Sequence, residues 1–327
     1  MIKSYLKKSK LILLFRIIHE MLKEAQILCK HIANGERYKS KSKLLSDLVI
    51  RTHSIEKGMS IGNVKVGFGK AKALTLLSEL EKFISIKGDK SYVIEICSTI
   101  NKYILFNEGL GANMDEIKSK LQNICKQNNI ELQNIGGIKL INNKDTIASS
   151  FQPFNFFSQS RYSIRDFSST PLNYDLIRQA LKLAEKTPSA CNRQSWRIHI
   201  YTSEKRRTQI FSLQGGSKGF YTQMQCAILI CGDINYYNIN ELNQLYVDGG
   251  LYAMNLMYAL QFYNVANIPL TMGLKMKDLI QIKKEMHIPE NEMPVILIGA
   301  GTFKETYKVA ISHRRPYETY TSFEDLN

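Results

Sequence analysis

The cysteines of this chain form no recognisable pattern. Six are scattered over 327 residues, without a C-x-x-C pair and without the nearby histidines of a metal-binding spacing. A chain of this length can bury a core without disulfide bonds. The spacing therefore argues against a disulfide framework and against a metal site, and it predicts a reducing, cytoplasmic compartment.

Long apolar runs are also missing. The apolar part of residues 1–31 is interrupted by Arg16 and falls short of the roughly 20 residues that cross a bilayer. The arginine also splits the apolar region that a signal peptide needs, and no Ala-x-Ala-like cleavage residues follow. Two interpretations remain. We favour a helix packed on its own domain over a basic amphipathic helix in peripheral contact with an anionic membrane.

Acidic residues are fewer than basic ones, 29 against 44, which gives a formal net charge of +15. Such a surface can attract nucleic acid, anionic lipid or a phosphorylated ligand, and simple solubility is the alternative. We find no zinc-finger spacing and no RNA-binding signature, so we expect no nucleic-acid partner. A Gly-x-Gly at Gly67 and Gly69 lacks the third glycine of a dinucleotide-binding turn, because Lys72 stands there.

Hydrophobic spacing divides the chain into two parts of different character. Residues 1–145 are predicted to be a mainly helical domain of unknown role, and residues 146–327 a second domain that mixes helices and strands. The fold class is therefore α+β. Helices are predicted at 1–31, 44–55, 70–86, 91–106, 113–125, 173–186, 241–263 and 275–286, and strands at 196–202, 226–231 and 294–299.

One predicted helix end carries several polar side chains. His53, Glu56 and Lys57 precede an irregular, glycine-rich loop. They could be functional, but we favour a capped helix end. The helix predicted at 241–263 is apolar nearly all round, which indicates burial on every side, and that much apolar helix suggests a second subunit.

A cluster of basic and hydroxyl side chains follows residue 160. Arg161 and Arg165 flank Ser163 in the sequence Arg-Tyr-Ser-Ile-Arg. A guanidinium can hold a phosphate through two parallel hydrogen bonds, and a hydroxyl adds another. The cluster predicts a phosphate site. The alternative is a surface ion pair of these arginines with Asp166 or Glu185.

A second polar cluster covers residues 187–196, between the helix that must stop before Pro188 and the strand that begins at Trp196. Its side chains can both donate and accept hydrogen bonds, so it can recognise the edge of a heterocycle. Cys191 lies within it. No histidine base is near in sequence, and we favour a packing role for this thiol over that of a nucleophile.

The two clusters, R-x-S-x-R-x-F and then P-S-x-x-N-x-Q-x-W, resemble the nitroreductase family of FMN-dependent oxidoreductases. Residues 312–318, Ser-His-Arg-Arg-Pro-Tyr-Glu, are similar to the basic segment that closes the family's phosphate site. The likeness begins near Phe157 and covers roughly half the chain. It departs from the family at Ser195, where proline is common, at Tyr162, where a basic residue is frequent, and in the long segment before the domain.

The resemblance implies a mainly antiparallel sheet flanked by helices, an intertwined homodimer and FMN at the dimer interface. It implies that NAD(P)H reduces the flavin at N5 and that a small-molecule acceptor then takes the electrons, so no catalytic acid–base pair is required. The implied FMN-binding residues fall into three groups. They are Arg161, Ser163, Arg165, Arg314 and Arg315 at the phosphate, Pro188, Ser189, Ala190, Asn192 and Gln194 at the ring, and Thr271 and Met272 near N5.

Two rival interpretations stay open. The chain could keep the fold and act as a binding or scaffold protein, docked to a membrane or polysaccharide-biosynthesis assembly through its basic N-terminus. It could also be a redox enzyme with a dedicated biosynthetic substrate and without general nitroaromatic activity.

Overall fold

A computed structural model describes residues 10–31, 41–237, 241 and 243–324. Residues 1–9 of the first predicted helix lie outside these residues. The helices are α1 Lys10–His31, α2 Lys41–Met59, α3 Lys70–Ser85, α4 Lys90–Gly109, α5 Asp115–Asn128, α6 Asn143–Ser149, α7 Phe154–Ser160, α8 Tyr174–Ala184, α9 Glu204–Gln214, α10 Gln244–Phe262 and α11 Met276–Met286. The strands are β1 Ile138–Asn142, β2 Trp196–Tyr201, β3 Cys226–Asp233, β4 Val265–Thr271, β5 Glu292–Thr302 and β6 Thr306–Ala310.

The helical half has its own hydrophobic core. Apolar residues at spacings of three and four give α3 one buried face, whereas α4 is buried all round over residues 95–100. Side chains such as Leu80, Phe83, Ile100 and Tyr103 are almost fully buried in this core. The Asp89 carboxylate caps α4 by accepting from the Ser91 N–H at 2.8 Å. The predicted helical half is therefore present.

The other half is built on a four-stranded antiparallel sheet in the order β2-β3-β5-β4. Every residue of β3 is buried, as its continuous apolar run predicted. Alternate β3 side chains enter two different cores: Leu229 faces α9 and α11, whereas Ile228 and Ile230 face α8 and α10. The α+β class with helices flanking a mainly antiparallel sheet is confirmed.

A small second sheet joins the two halves. β1 follows the helical half and pairs antiparallel with β6, near the C-terminal end of the chain. Ile138 packs against the helical core and Ile141 against the sheet core. β1 thus contacts both halves, and the boundary after residue 145 stays a prediction.

Helix α10 differs from its prediction in where it begins and in how far it is buried. It begins at Gln244, and within one chain it is not buried on every side. Val247, Leu251 and Phe262 are 52%, 46% and 40% exposed, and their spacing places them along one face. The other face packs on the sheet through Leu256 and Leu260.

The favoured interpretation of residues 1–31 is wrong for part of α1. Leu14, Phe15 and Leu22 are more than half exposed, so these side chains do not pack on their own domain. Among the described residues, no helix combines the length and the apolar character that a membrane span requires.

Candidate functional site

The first polar cluster lies in extended chain that follows α7. The Ile164 N–H donates to the Asn267 carbonyl of β4 at 3.0 Å, and the Phe167 N–H donates to Gln223 Oε1 at 2.9 Å. Ile164 and Phe167 are buried in the sheet core. These anchors hold residues 164–167, which include Arg165, beside β4.

Arg165 is a buried cation. Its side chain is only 5% exposed, and Nη1 donates to the Ser163 carbonyl at 3.2 Å, whereas Nε has no hydrogen-bonding partner. Burial lowers the pKa of Arg165 to about 10, against the opposing attraction of Glu56. A buried guanidinium with an unused N–H fits an anion, because a charge removed from water is costly unless it is paired.

Arg161 has a similar environment. Its Nη1 is buried and has no hydrogen-bonding partner in the described part of the chain. Burial lowers the pKa of Arg161, the Tyr258 hydroxyl opposes the shift, and the positive charge of nearby Arg314 adds to it. The charges of Arg161 and Arg314 therefore lie within range of each other, although more than 150 residues separate them along the chain.

The structure does not show the alternative, a surface ion pair of Arg161 or Arg165 with Asp166 or Glu185. The Asp166 carboxylate pairs with Lys304, with Nζ and Oδ1 2.6 Å apart. Neither Arg161 nor Arg165 forms an ion pair with a described acidic residue within the 4 Å that defines one. The donors that these two arginines leave unused are what a phosphate would need, so the residues present fit the terminal group of FMN.

The helical half also reaches this site. Ser163, Arg314 and Arg315 line a cavity of about 640 Å³ together with residues of α2 and α4. Glu56 of α2 is buried and accepts from the Gly137 N–H at 2.9 Å and from the Ser312 hydroxyl at 3.4 Å. Treating Glu56 as part of a capped helix end was therefore incomplete. Its polarity on an otherwise apolar helix face was the only signal in the sequence.

The second polar cluster forms a tight loop after α8. The Ala190 N–H donates to Asp248 of α10 at 3.2 Å, and Asn255 donates to the Thr187 hydroxyl at 2.7 Å. Asn192 and Gln194 have positive φ of 55° and 48°. Non-glycine residues in this region store local strain, which is common in loops that position functional groups.

Side chains of this loop bond both to one another and to residues outside the loop. The Ser189 hydroxyl accepts from the Gln194 N–H at 2.9 Å, and Gln194 Nε2 donates to Asn192 Oδ1 at 3.1 Å. Arg193 forms two hydrogen bonds with Glu241, at 2.7 and 2.9 Å. Cys191 is exposed, so the expectation that it packs in a core is wrong.

The two polar clusters lie at different ends of α10. Ala190 contacts Asp248, whereas Ser160, the neighbour of Arg161, accepts a hydrogen bond from Gln261 at 3.2 Å. The 13 residues from 248 to 261 span about 20 Å of helix. Within one chain the two polar clusters are therefore far apart, which the sequence could not reveal.

The third predicted group lies at the end of β4. Thr271 is exposed and its carbonyl accepts from Gln214 Nε2 at 3.0 Å, while the Met272 side chain is buried. Asn267 lies four residues earlier on the same strand, about 13 Å from Thr271. Its carbonyl accepts from the Ile164 N–H, next to Arg165. Thr271 and the arginines are thus attached to one strand of the same chain.

One cluster that the sequence did not suggest lies elsewhere on the sheet. The ligating atoms of His199, Cys231 and Glu292 are within 4.8 Å of one another. His199 Nε2 and Glu292 Oε2 are 2.6 Å apart and form a hydrogen bond. Burial raises the pKa of the Cys231 thiol far above its ordinary value, which keeps it protonated.

Comparison with known proteins agrees with the resemblance seen in the sequence. Residues 159–214 match the model of the nitroreductase family, which confirms the likeness over the segment that holds both polar clusters. A search of curated proteins gave no match. The match supports a flavin-dependent oxidoreductase in general terms.

Solved structures with similarity to the chain include three from bacteria. A nitroreductase-like protein from Streptococcus mutans is 22% identical, with 50% of this chain and 94% of that chain covered and a TM-score of 0.43. A nitroreductase family protein from Streptococcus pneumoniae is 18% identical, with 53% and 100% covered and a TM-score of 0.45. An FMN-dependent nitroreductase from Clostridium difficile is 16% identical, with 51% and 96% covered and a TM-score of 0.43.

Proposed function

We propose that the chain is an FMN-dependent oxidoreductase that takes reducing equivalents from NAD(P)H and passes them to a small-molecule acceptor. The observation that carries the proposal is the pair of guanidinium groups of the half-buried Arg161 and the buried Arg165, each of which retains an unused buried donor. When bound, FMN supplies the hydride chemistry, and the protein supplies binding and orientation.

Each group of residues has a separate task in this proposal. Arg161, Ser163 and Arg165, with Arg314 and Arg315, hold the phosphate, since a dianion needs several cations to offset its charge. The loop that contains Pro188, Ser189, Ala190, Asn192 and Gln194 borders the ring, and its strained backbone keeps its polar groups in place. The backbone at Thr271 and Met272 approaches the reactive edge of the ring.

A homodimer explains how residues that lie far apart in one chain bind the same FMN molecule. In a two-fold dimer, the same surface of each copy meets its counterpart. If α10 helices pair antiparallel across the axis, the loop of one copy comes near the arginines of the other, and a ring can be enclosed between two chains. The exposed face formed by Val247, Leu251 and Phe262 supplies apolar surface for that contact.

The spectrum of the purified protein tests this proposal. We expect a yellow protein whose colour is bleached by NADH or NADPH in the absence of oxygen. A colourless protein that does not take up added FMN would overturn the flavin assignment. A yellow protein that neither nicotinamide reduces would favour the binding or scaffold alternative.

A peripheral membrane contact is a second candidate role, supported by the exposed side chains of α1. Leu14, Ile18 and Leu22 recur every fourth residue and are 42–58% exposed, in a chain of net charge +15. A basic amphipathic helix of this kind binds anionic lipid surfaces. Co-sedimentation with anionic and neutral vesicles tests it: the full chain should bind only anionic vesicles, and equal recovery after deletion of residues 1–31 would dispose of it.

A further inference from the structure

Three side chains with different donor atoms meet on one face of the four-stranded sheet. His199, Cys231 and Glu292 belong to β2, β3 and β5, which are neighbours in the sheet. An imidazole nitrogen, a thiol sulfur and a carboxylate oxygen lie within 4.8 Å of one another. Each donor comes from a different strand, so the spacing of cysteines and histidines along the sequence could not predict the cluster.

A β-bulge brings the carboxylate to this face. The register between β3 and β5 shifts by one residue after Ile230, and Asp233 therefore pairs with Glu292. Residues two apart on a strand share a face, so Cys231, Asp233 and Glu292 lie on the same side of the sheet. With an unbroken register Met293 would stand opposite Asp233, and Glu292 would lie on the other side. Bulges often redirect side chains in this way next to functional sites.

The charges of the cluster match those of a divalent cation. A thiolate and a carboxylate supply two negative charges, and a histidine binds metal as the neutral imidazole. Asp233 is the second carboxylate on this face, but Arg197 and Asn291 hold its oxygens at 3.0 and 2.8 Å. Glu292 is therefore the carboxylate that can serve as a ligand here.

Zinc is the metal that suits this set of donors. Zn²⁺ accepts nitrogen, sulfur and oxygen ligands together, whereas Mg²⁺ and Ca²⁺ prefer oxygen alone. Tetrahedral zinc holds its ligand atoms about 3.3–3.6 Å apart. His199 Nε2 and Glu292 Oε2 are 2.6 Å apart, so they would separate by about 1 Å or less around the ion. The His199 side chain is 26% exposed, which provides a path from solvent.

We propose that His199, Cys231 and Glu292 bind one zinc ion, with a water molecule as the fourth ligand. When the zinc–sulfur bond forms, the S–H bond of Cys231 breaks and its proton passes to water. The ion links three strands of the sheet. None of the residues assigned to FMN is a ligand, so this site does not depend on the proposed function.

Zinc titration of the full-length, tag-free protein in competition with a chromophoric chelator tests the proposal. We expect one zinc ion per chain, and an affinity at least about 100-fold weaker in Cys231→Ser and in His199→Gln, because each loses a direct ligand. Gln at position 199 can still donate a hydrogen bond to Glu292, so this variant keeps the structural contact. Cys226→Ser is the matched control: this buried thiol of the same strand faces the other core, and its loss should leave zinc affinity unchanged.

Cobalt substitution identifies the sulfur ligand directly. Co²⁺ bound to a thiolate absorbs strongly in the near ultraviolet, and a difference spectrum against the metal-free protein separates this band from any flavin. We expect the band in the unmodified chain and in Cys226→Ser but not in Cys231→Ser. Zinc at about 100 times its dissociation constant should also raise the melting temperature by about 5–10 °C, and this rise should be absent in Cys231→Ser.

Two results would overturn the proposal. One is the absence of zinc binding at about 10 μM. The other is equal zinc affinity in Cys231→Ser and Cys226→Ser, which would make any bound zinc adventitious and the His199–Glu292 hydrogen bond purely structural. A colourless protein that binds zinc through Cys231 would reject the flavin function and keep this site, and a yellow protein without zinc affinity would do the reverse.

Discussion

Arginines at the two polar clusters have opposite surroundings. Arg193 in the loop is half-buried and is held by Glu241 through two hydrogen bonds, so its charge is satisfied within the chain. Arg165 is buried, has no ion pair with a described acidic residue and leaves Nε without a partner. The contrast supports the proposal that the first cluster binds an anion, because a structural arginine is paired within the chain, whereas an arginine that binds a ligand has unused donors.

Replacing Arg165 should give the largest effect. We expect Arg165→Ala to cost about 2–5 kcal/mol of FMN binding, since a buried charge pair loses one partner. Flavin content of the purified protein and FMN titration of the apoprotein measure it. Arg193→Ala is the control: it should retain the flavin and lower only the melting temperature. Unchanged flavin content in Arg165→Ala would remove the phosphate assignment.

The stability of the apoprotein tests the same contrast between Arg165 and Arg193. In the absence of FMN, Arg165→Met should leave the free energy of unfolding unchanged or raise it by about 1–3 kcal/mol, because it removes a buried charge that lacks a partner. Arg193→Met should lower it. Urea denaturation of both apoproteins gives the comparison, and a clear loss of stability in Arg165→Met would mean that Arg165 has a structural partner.

The pH dependence of stability gives a similar comparison between two buried glutamates, Glu95 and Glu79. Burial, with a further contribution from Glu56, raises the pKa of Glu95 from 4.5 to about 7, whereas Glu79 is held by Arg51 at 2.7 Å. A carboxyl whose pKa is higher in the folded state favours folding when protonated, so this stability is lost as the pH rises from about 4.5 through 7. Integration over that interval gives an upper limit of about 3 kcal/mol.

Denaturation at pH 5 and pH 8 checks this expectation. Glu95→Gln should be more stable than the unmodified chain at pH 8 and nearly equal to it at pH 5. Glu79→Gln should be less stable at both values, because it breaks an ion pair. If Glu95→Gln left the pH dependence of stability unchanged, Glu95 would have the ordinary pKa of an exposed carboxyl.

The exposed face of α10 offers a smaller and more local test. Leu251→Glu should shift the protein from dimer to monomer in analytical ultracentrifugation and reduce its flavin content, since the proposed site needs two copies. Ile280→Glu, at a more exposed apolar position of α11 on the opposite face of the sheet, should remain dimeric. A dimeric Leu251→Glu that keeps its flavin would exclude this face as the interface.

Local patterns predicted much of the fold. The spacing of apolar residues placed α3, α4, α8 and α11 within a few residues, and the continuous apolar run of β3 predicted a central strand. Predictions of the burial of individual side chains were less accurate. Cys191 is exposed, as are most of the described side chains of α1, because the burial of a side chain depends on neighbours that are distant in sequence.

By itself, the sequence determined eight of the eleven described α-helices, three of the six described strands and the residue types of both polar clusters, since these follow from local periodicity and from side-chain chemistry. Only the tertiary structure decided that the charges of Arg161 and Arg314 lie within range of each other, that about 20 Å of α10 separates the clusters, and that Glu56 and Glu95 of the helical half border the same cavity. The physical reason is that desolvation and charge interactions act through space. Their strength depends on the folded arrangement of elements that are far apart along the chain.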